Sequence, residues 1–289
     1  MKAITNITTG QKKQYFRFVE DAAERALKKT GLDKDGLQKL IENGDEFQSR
    51  IVTAVRELSV SIRYANEEKE SNLGYLSGYK PKSITEQIKI LNQLFPNIGF
   101  AKEKLADGQL PLGAEGWFAI PRWKKIAPTY GEAVQKVLDL IKRTRKGEFY
   151  NYCDEQLGPQ YLRQSLKTIK AFQKLGDQQN GYDILVVPAQ FGLRHRDRSV
   201  RRAREYMNTK EFGLDTFSVG IMILTHPKRL MSLNTLCVDC AGDEYVFDTG
   251  NDFSKSPCFM LNVAWIKLDT NLISHANECF GSASGFIFQ

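Results

Sequence analysis

Apolar residues recur at helical spacing through residues 1–95. Phe16, Val19, Ala23, Ala26 and Leu27 lie three and four positions apart, which predicts an amphipathic helix. Thr8 or Thr9 is placed to cap it, and Gly31 to stop it. Asp33 can cap a short second helix that ends near Gly44, and a longer third helix carries Phe47, Ile51, Val55, Leu58 and Ile62. The stretch SNLGYLSGYKPKS breaks the pattern with glycine, serine and proline and reads as a loop. Ser83 and Glu86 then form a capping-box pattern, which opens a helix containing Ile88, Leu91 and Leu94.

The texture changes at Pro96. GWFAIP (116–121) is a short apolar run bounded by glycine and proline, and it predicts a buried strand. Thr129 and Glu132 make a second capping box before Val134, Val137, Leu138 and Ile141, in a helix ending near Gly147. Pro159 suits the first turn of a helix through Leu162, Leu166, Ile169 and Phe172. YDILVVP (182–188) is the clearest strand. FSVGIMILTHP is apolar throughout, so its period does not separate strand from buried helix. LCVDCA, EYVFDT and CFMLNVAWIKLD read as strands. WFAIP and ILVVP each end in proline and precede a polar loop and a helix, an echo that reads as ordinary strand–helix alternation. The pattern predicts an α+β or mixed α/β fold. A helical N-terminal region (1–95) is followed by a mixed-sheet domain with flanking helices (96–289).

The composition suits a globular chain: 289 residues, 42% hydrophobic and 26% charged. No apolar run reaches membrane-spanning length, and the first residues lack the apolar core of a secretory signal. Five cysteines, an odd number, argue against a disulfide framework and for a reducing, cytoplasmic setting.

Charge changes the picture more. The formal net charge is +7, and residues 190–210 alone supply +5 through seven Lys/Arg and two Asp/Glu. The basic character is local, which points to one anion site rather than a coated surface. PAQFGLRHRDRSVRRAREYM (188–207) places Arg194, His195, Arg196 and Arg198 before Ser199, a predicted N-cap, and Arg201, Arg202 and Arg204 after it. Val200, Ala203, Tyr206 and Met207 share one face of the helix, while Arg201, Arg202 and Glu205 point away. Positive side chains at the positive end of a helix are unfavourable by roughly 0.3–1 kcal/mol each. A bound anion would offset this and use the free backbone N–H groups. Arginine grips phosphate bidentately, so the expected ligand bears phosphate, with nucleic acid as one form. Lys124, Lys125, Arg143, Arg145 and Lys146 extend the basic track, and Trp117, Trp123 and Tyr130 are candidates for stacking on bases or for packing. The competing reading pairs the arginines internally with Asp239, Asp243, Glu244, Asp248 and Asp252, and Arg201 or Arg202 with Glu205 on the same helix.

Other chemistry is sparser. Asp239, Asp243 and Glu244 are candidate ligands of a divalent metal, which beside the arginines would suit an enzyme acting on a phosphorylated or nucleic-acid substrate. CVDC with Cys258, His275 and Cys279 suggests zinc, but residues three apart on a strand face opposite sides, so buried reduced thiols are expected. His195 is either a neutral general base beside a phosphate or a surface loop residue. No nucleophile elbow, phosphate loop or dinucleotide fingerprint is present.

LPLGAEGWFAIPRW (110–123), PAQFGLRHRDRSVRRAR (188–204), DCAGDEY (239–245) and GSASGF (281–286) together resemble a group of uncharacterised bacterial hypothetical proteins. The resemblance covers about the C-terminal two thirds. It implies a bacterial, cytoplasmic origin and carries over no functional residue. The leading expectation is a phosphate- or anion-binding protein, with a metal-dependent enzyme and a protein–protein interaction module as alternatives.

Overall fold

The computed structural model describes residues 8–59, 64–248, 252–263 and 265–288. Ile62, expected in the third helix, and Thr249 and Ala264, within expected strands, lie outside the described residues. The fold is α+β, with helices first and a mixed-sheet body after them. The chain forms two compact units, Met1–Ser59 and Val60–Gln289.

The first unit is helical. In α1 (Thr9–Thr30) the Thr8 and Gln11 side chains complete a capping box, and Gly31 ends the helix in the left-handed conformation. Asp33 caps α2 (Lys34–Glu42), and α3 (Gly44–Ser59) follows. The helical region expected over 1–95 is therefore divided: α4 (Ile84–Leu94) belongs to the second unit. Its Ile84 and Leu91 are buried in the main core, and the Gln87 side chain donates to Trp117 O and accepts from Ala119 N.

Two sheets frame the second unit. The first has the order β1 (Gly116–Pro121), β4 (Ile184–Gln190), β11 (Ser284–Phe286), β5 (Glu211–Gly213), all antiparallel. The two echoing apolar runs are thus neighbours, with Gly116 opposite Ala189 and Pro121 opposite Ile184. The second sheet runs β10 (Phe280–Ser282), β6 (Cys237–Asp239), β8 (Lys255–Asn262), β7 (Asp243–Tyr245), β3 (Leu162–Gln164), and β9 (Trp265–Leu272) joins β8 to β2 (Phe149–Asn151). CFMLNVAWIKLD thus spans both arms of the β8–β9 hairpin. Leu162, expected inside a helix, lies in β3, because Arg163 and Glu244 pair across the β3–β7 ladder. The next helix, α6 (Leu166–Gln178), starts later and is capped by Ser165.

Helix α8 (Thr216–Thr225) resolves the ambiguous apolar run, and all ten of its residues are buried. A helix apolar on every face belongs inside a core. It packs on α5 (Tyr130–Thr144) and on β1, and Gly220 marks the closest approach. A Cβ there would stand 2.5 Å from Val137 Cγ1. No helix among the described residues is long and apolar enough to cross a membrane.

Gly220→Ala should therefore destabilise the protein. Overpacking costs about 1–3 kcal/mol, against roughly 1 kcal/mol gained in helix propensity. Denaturant unfolding should show a lower midpoint, and a stabilised variant would contradict this packing.

Candidate functional site

The arginine segment leaves β4 through Gly192, whose φ of 118° suits only glycine. It turns through Leu193–His195 and enters α7 (Val200–Tyr206). Ser199 is the N-cap, as expected, and accepts from Arg202 N. Val200, Ala203 and Met207 are buried on the predicted face. Arg202, expected to point away, is buried as well.

The expected anion is supplied by the chain itself. Residues 67–69 run antiparallel beside the segment, with Glu68 bridged to Arg198 and Lys69 N donating to Asp197 O. Glu67 accepts from the Ser199 hydroxyl at 2.7 Å and takes a forked grip from Arg201. Glu68 pairs with Arg202 at 2.7 Å and with Arg198 at 3.8 Å. The guanidiniums of Arg198 and Arg202 also lie over the Tyr206 ring. Arg196 donates to Leu73 O. The closest internal partners are therefore Glu67, Glu68 and Glu211, with Asp197 3.8 Å from Arg196 and Glu205 3.8 Å from Arg202, and no side-chain pair links these arginines to the acids of 239–252 among the described residues. The acidic stretch NEEKE (66–70) was the overlooked signal in the sequence.

Glu211 is the buried centre of this network. His195 Nε2 lies 2.7 Å away, Arg194 Nε 3.2 Å, and the Ser284 hydroxyl donates at 2.7 Å. Burial alone would raise this carboxyl, but the hydrogen bond and the charge of His195, then the Arg194 charge and the Ser284 hydroxyl, hold it at about 2. His195 is buried, not a surface loop residue. Desolvation lowers its pKa despite Glu211, and its Nδ1 has no partner.

The proposed metal ligands do not converge. β8 lies between β6, which carries Asp239, and β7, which carries Asp243. Glu244 follows Asp243 on the strand, so it faces the other way and pairs with Arg163 at 2.8 Å. Among the described residues, no three His, Cys, Asp or Glu side chains are grouped to hold a metal ion, and this covers the zinc candidates too. Burial pushes the Cys237 thiol up to about 12, away from the thiolate a metal needs.

The most unusual chemistry gathers at the start of α8. Its first N–H groups have no partner inside the helix. Thr216 N donates to Asp243 Oδ2 at 2.7 Å, and Ser218 N donates to Asp215 Oδ1 at 2.7 Å. The Tyr130 hydroxyl donates to Asp243 Oδ2 at 2.6 Å, and Gln164 Nε2 donates to Asp215 Oδ2 at 2.5 Å. Burial, then the neighbouring Asp215, pushes Asp243 up to about 8, and burial raises Asp215 as well. Asp243 Oδ1 is buried without a hydrogen-bond partner among the described residues. Asp215, Gln164 and Tyr130 were not foreseen as site residues. The signal for Asp215 was an Asp with Ser three positions on, opening the apolar run.

Two cavities open beside this helix start, with Gln164 and Ile169 as shared walls. The larger, about 770 Å³, is lined by Tyr130, Arg163, Lys167, Arg204 and Glu244. The other, about 690 Å³, is lined by Trp123, Phe172, Asp177, Asp215 and Ser218. Both have the size of small-ligand sites. Trp123 and Tyr130, one from each cavity, meet edge to face with ring centroids 6.0 Å apart. Arg204, in the last turn of α7, lines the larger cavity beside Met207. It donates to Ala241 O at 2.9 Å and Asp243 O at 2.7 Å.

Two pH responses follow. The depressed Glu211 stabilises the fold above its unfolded pKa, near 4.5, and that contribution disappears as pH falls toward about 2. Glu211→Ala should cost about 3–5 kcal/mol at neutral pH and flatten the acid limb of the stability profile. The raised Asp243 acts oppositely: its contribution is complete below the unfolded pKa and is lost as pH rises through about 8. Asp243→Asn should therefore gain on the wild type between pH 5 and 8, by at most about 1.4 kcal/mol per pH unit. Parallel stability profiles for variant and wild type would contradict the assignment.

No family model matches the chain, and no match was found among the curated proteins or the solved structures.

Proposed function

We propose that the protein binds a small phosphate-bearing ligand in the cavity lined by Arg163, Lys167 and Arg204. One observation carries this reading: Arg204 brings a half-buried guanidinium to that cavity, and its hydrogen bonds go to the carbonyls of Ala241 and Asp243 rather than to a carboxylate. Burial lowers its pKa, and the charges of Glu244, Asp243 and Asp239 oppose that. Backbone carbonyls satisfy part of its five-donor fork, which leaves donors for an incoming anion. Arg163 and Lys167 line the same cavity; Arg163 is paired with Glu244, and Lys167 donates to Met207 O and Asn208 O. Phosphate suits such a set because arginine meets it through two parallel hydrogen bonds.

The reading moves the anion site from the start of α7 to its end. Arg194, Arg198, Arg201 and Arg202 have carboxylate partners in the chain, which leaves little charge to follow a nucleic-acid backbone. A compact ligand is therefore favoured over a nucleic acid. The free state of all five cysteines supports the expected reducing, cytoplasmic setting.

Pyrophosphate should raise the wild-type melting temperature, and the effect should weaken with salt. Arg204→Gln should abolish the shift and Arg163→Gln reduce it, whereas Arg201→Gln should lower basal stability and keep it. An undiminished shift in Arg204→Gln would remove the basis of the proposal.

A further inference from the structure

The arginine segment finds its counter-charges within the chain, but one basic turn does not. Lys142, Arg143, Arg145 and Lys146 lie in the last turn of α5 and just after it. Arg145 is engaged: it donates to Pro227 O and has the Glu148 charge nearby. Lys142, Arg143 and Lys146 are exposed and, among the described residues, have no carboxylate partner. Ile266 N donates to Glu148 O at 3.2 Å, so this turn abuts the end of the β8–β9 hairpin that carries Trp265.

Beside the turn is an aromatic sheet face. Tyr150 in β2 stands opposite Lys267 in β9. Tyr152 is two residues from Tyr150, and Trp265 two from Lys267, so all four side chains share one face of the ribbon. The other face carries Phe149, Ile266 and Leu268 into the core. The solvent face of an antiparallel sheet is ordinarily polar, yet Tyr150 and Trp265 are each 50% exposed and Tyr152 is 53% exposed. The two tyrosine rings meet with centroids 4.5 Å apart. With Asn262, Val263 and Lys267 these aromatics line a hollow of about 280 Å³. That is below the size of most whole-ligand sites and suits one unit of a longer chain. Val263 has φ 58°, which a β-branched residue rarely adopts, and its side chain stays exposed at the rim of the hollow.

We propose that this face binds single-stranded nucleic acid, with bases stacked on Tyr150, Tyr152 and Trp265 and phosphates beside Lys142, Arg143 and Lys146. Sites for single strands combine aromatic platforms with a basic track, and the two lie side by side here. A duplex keeps its bases stacked on one another and cannot use the rings. A neutral sugar chain could lie on the rings but would leave the three cations without a role. A cationic ligand is disfavoured because Lys267 already places Nζ 4.9 Å from the Tyr152 ring centroid. Asn262 adds a donor and an acceptor for a base edge. The hollow shares no residue with the two cavities beside α8, so this surface is separate from the phosphate site.

Anisotropy of fluorescein-labelled oligouridylate and oligothymidylate, titrated with the full chain, tests this. At least one should bind at low salt, and a duplex of the same length should bind about tenfold weaker or less. Trp265→Ala and Tyr150→Ala should each weaken binding by about five- to hundredfold, the range of one stacked base, whereas Tyr150→Phe should keep it. Replacing Lys142, Arg143 and Lys146 together by Gln should lower the slope of log K against log salt by about two, at ~0.7 per lost phosphate contact. These side chains are exposed, so the melting temperatures should stay near that of the wild type. Arg204→Gln should leave oligonucleotide binding unchanged. If neither oligonucleotide binds at low salt, or if binding survives undiminished in both Trp265→Ala and Tyr150→Ala, the proposal falls. Binding of maltohexaose or of phosphatidylglycerol vesicles, with no binding of either oligonucleotide, would assign the face to another partner and overturn it too.

Discussion

A helix that is apolar on every face can be stable only inside a core, and there its end groups are buried with it. This constraint organises the second unit around α8. The N–H groups at its start must find acceptors within the fold. Asp215 and Asp243 provide them, and the Tyr130 hydroxyl adds a third polar group at the same end. Two carboxyls are thereby drawn into a low-dielectric interior, where one charge opposes the other and burial opposes both. The positive end of the helix dipole eases that cost. What begins as a solution to a capping problem ends as a pair of acids with shifted protonation beside open space.

The arginine segment shows the same economy in reverse. Its charges sit where a helix start should repel them, yet the chain neutralises most of them itself. Glu67 stands over the start of α7 and does the work expected of a bound anion, engaging Ser199 and Arg201 together. Glu211 sits deeper and ties His195 and Arg194 to Ser284 on a different strand. The partly exposed pairs contribute little individually, whereas the buried Glu211 cluster holds the loop after β4 in one geometry. Arg204 instead donates to the carbonyls of Ala241 and Asp243, at the point where α7 meets the cleft. The network therefore acts as a clamp that sets the direction of α7 and so the place of Arg204.

Local sequence carried much of the secondary structure because its signals are local in cause. The capping boxes at Ser83 and Thr129 need only residues three apart, and each formed as the spacing demanded, while Thr8, one of two candidate caps, took the N-cap of α1. Ser199 was legible as an N-cap for the same reason. Leu162 was misassigned because a lone proline suggests a helix start equally well when the following residues pair in a ladder. For FSVGIMILT the reason is different: full burial erases the amphipathic period that would distinguish helix from strand.

The sequence by itself determined the caps, the apolar stripes, the strand cores and the concentration of positive charge in one segment, because these depend on neighbours along the chain. Only the tertiary structure decided which acids meet which arginines. Glu67 and Glu68 lie more than a hundred residues from their partners, and an equally acidic stretch lies much closer in sequence. It also decided that Asp239, Asp243 and Glu244 part company, since strand order and side-chain alternation, not spacing, set where they point. The cleft is the furthest from sequence of all. Tyr130, Gln164, Arg204 and Asp215 come from four separate elements, and they meet only because a buried helix start has to be enclosed.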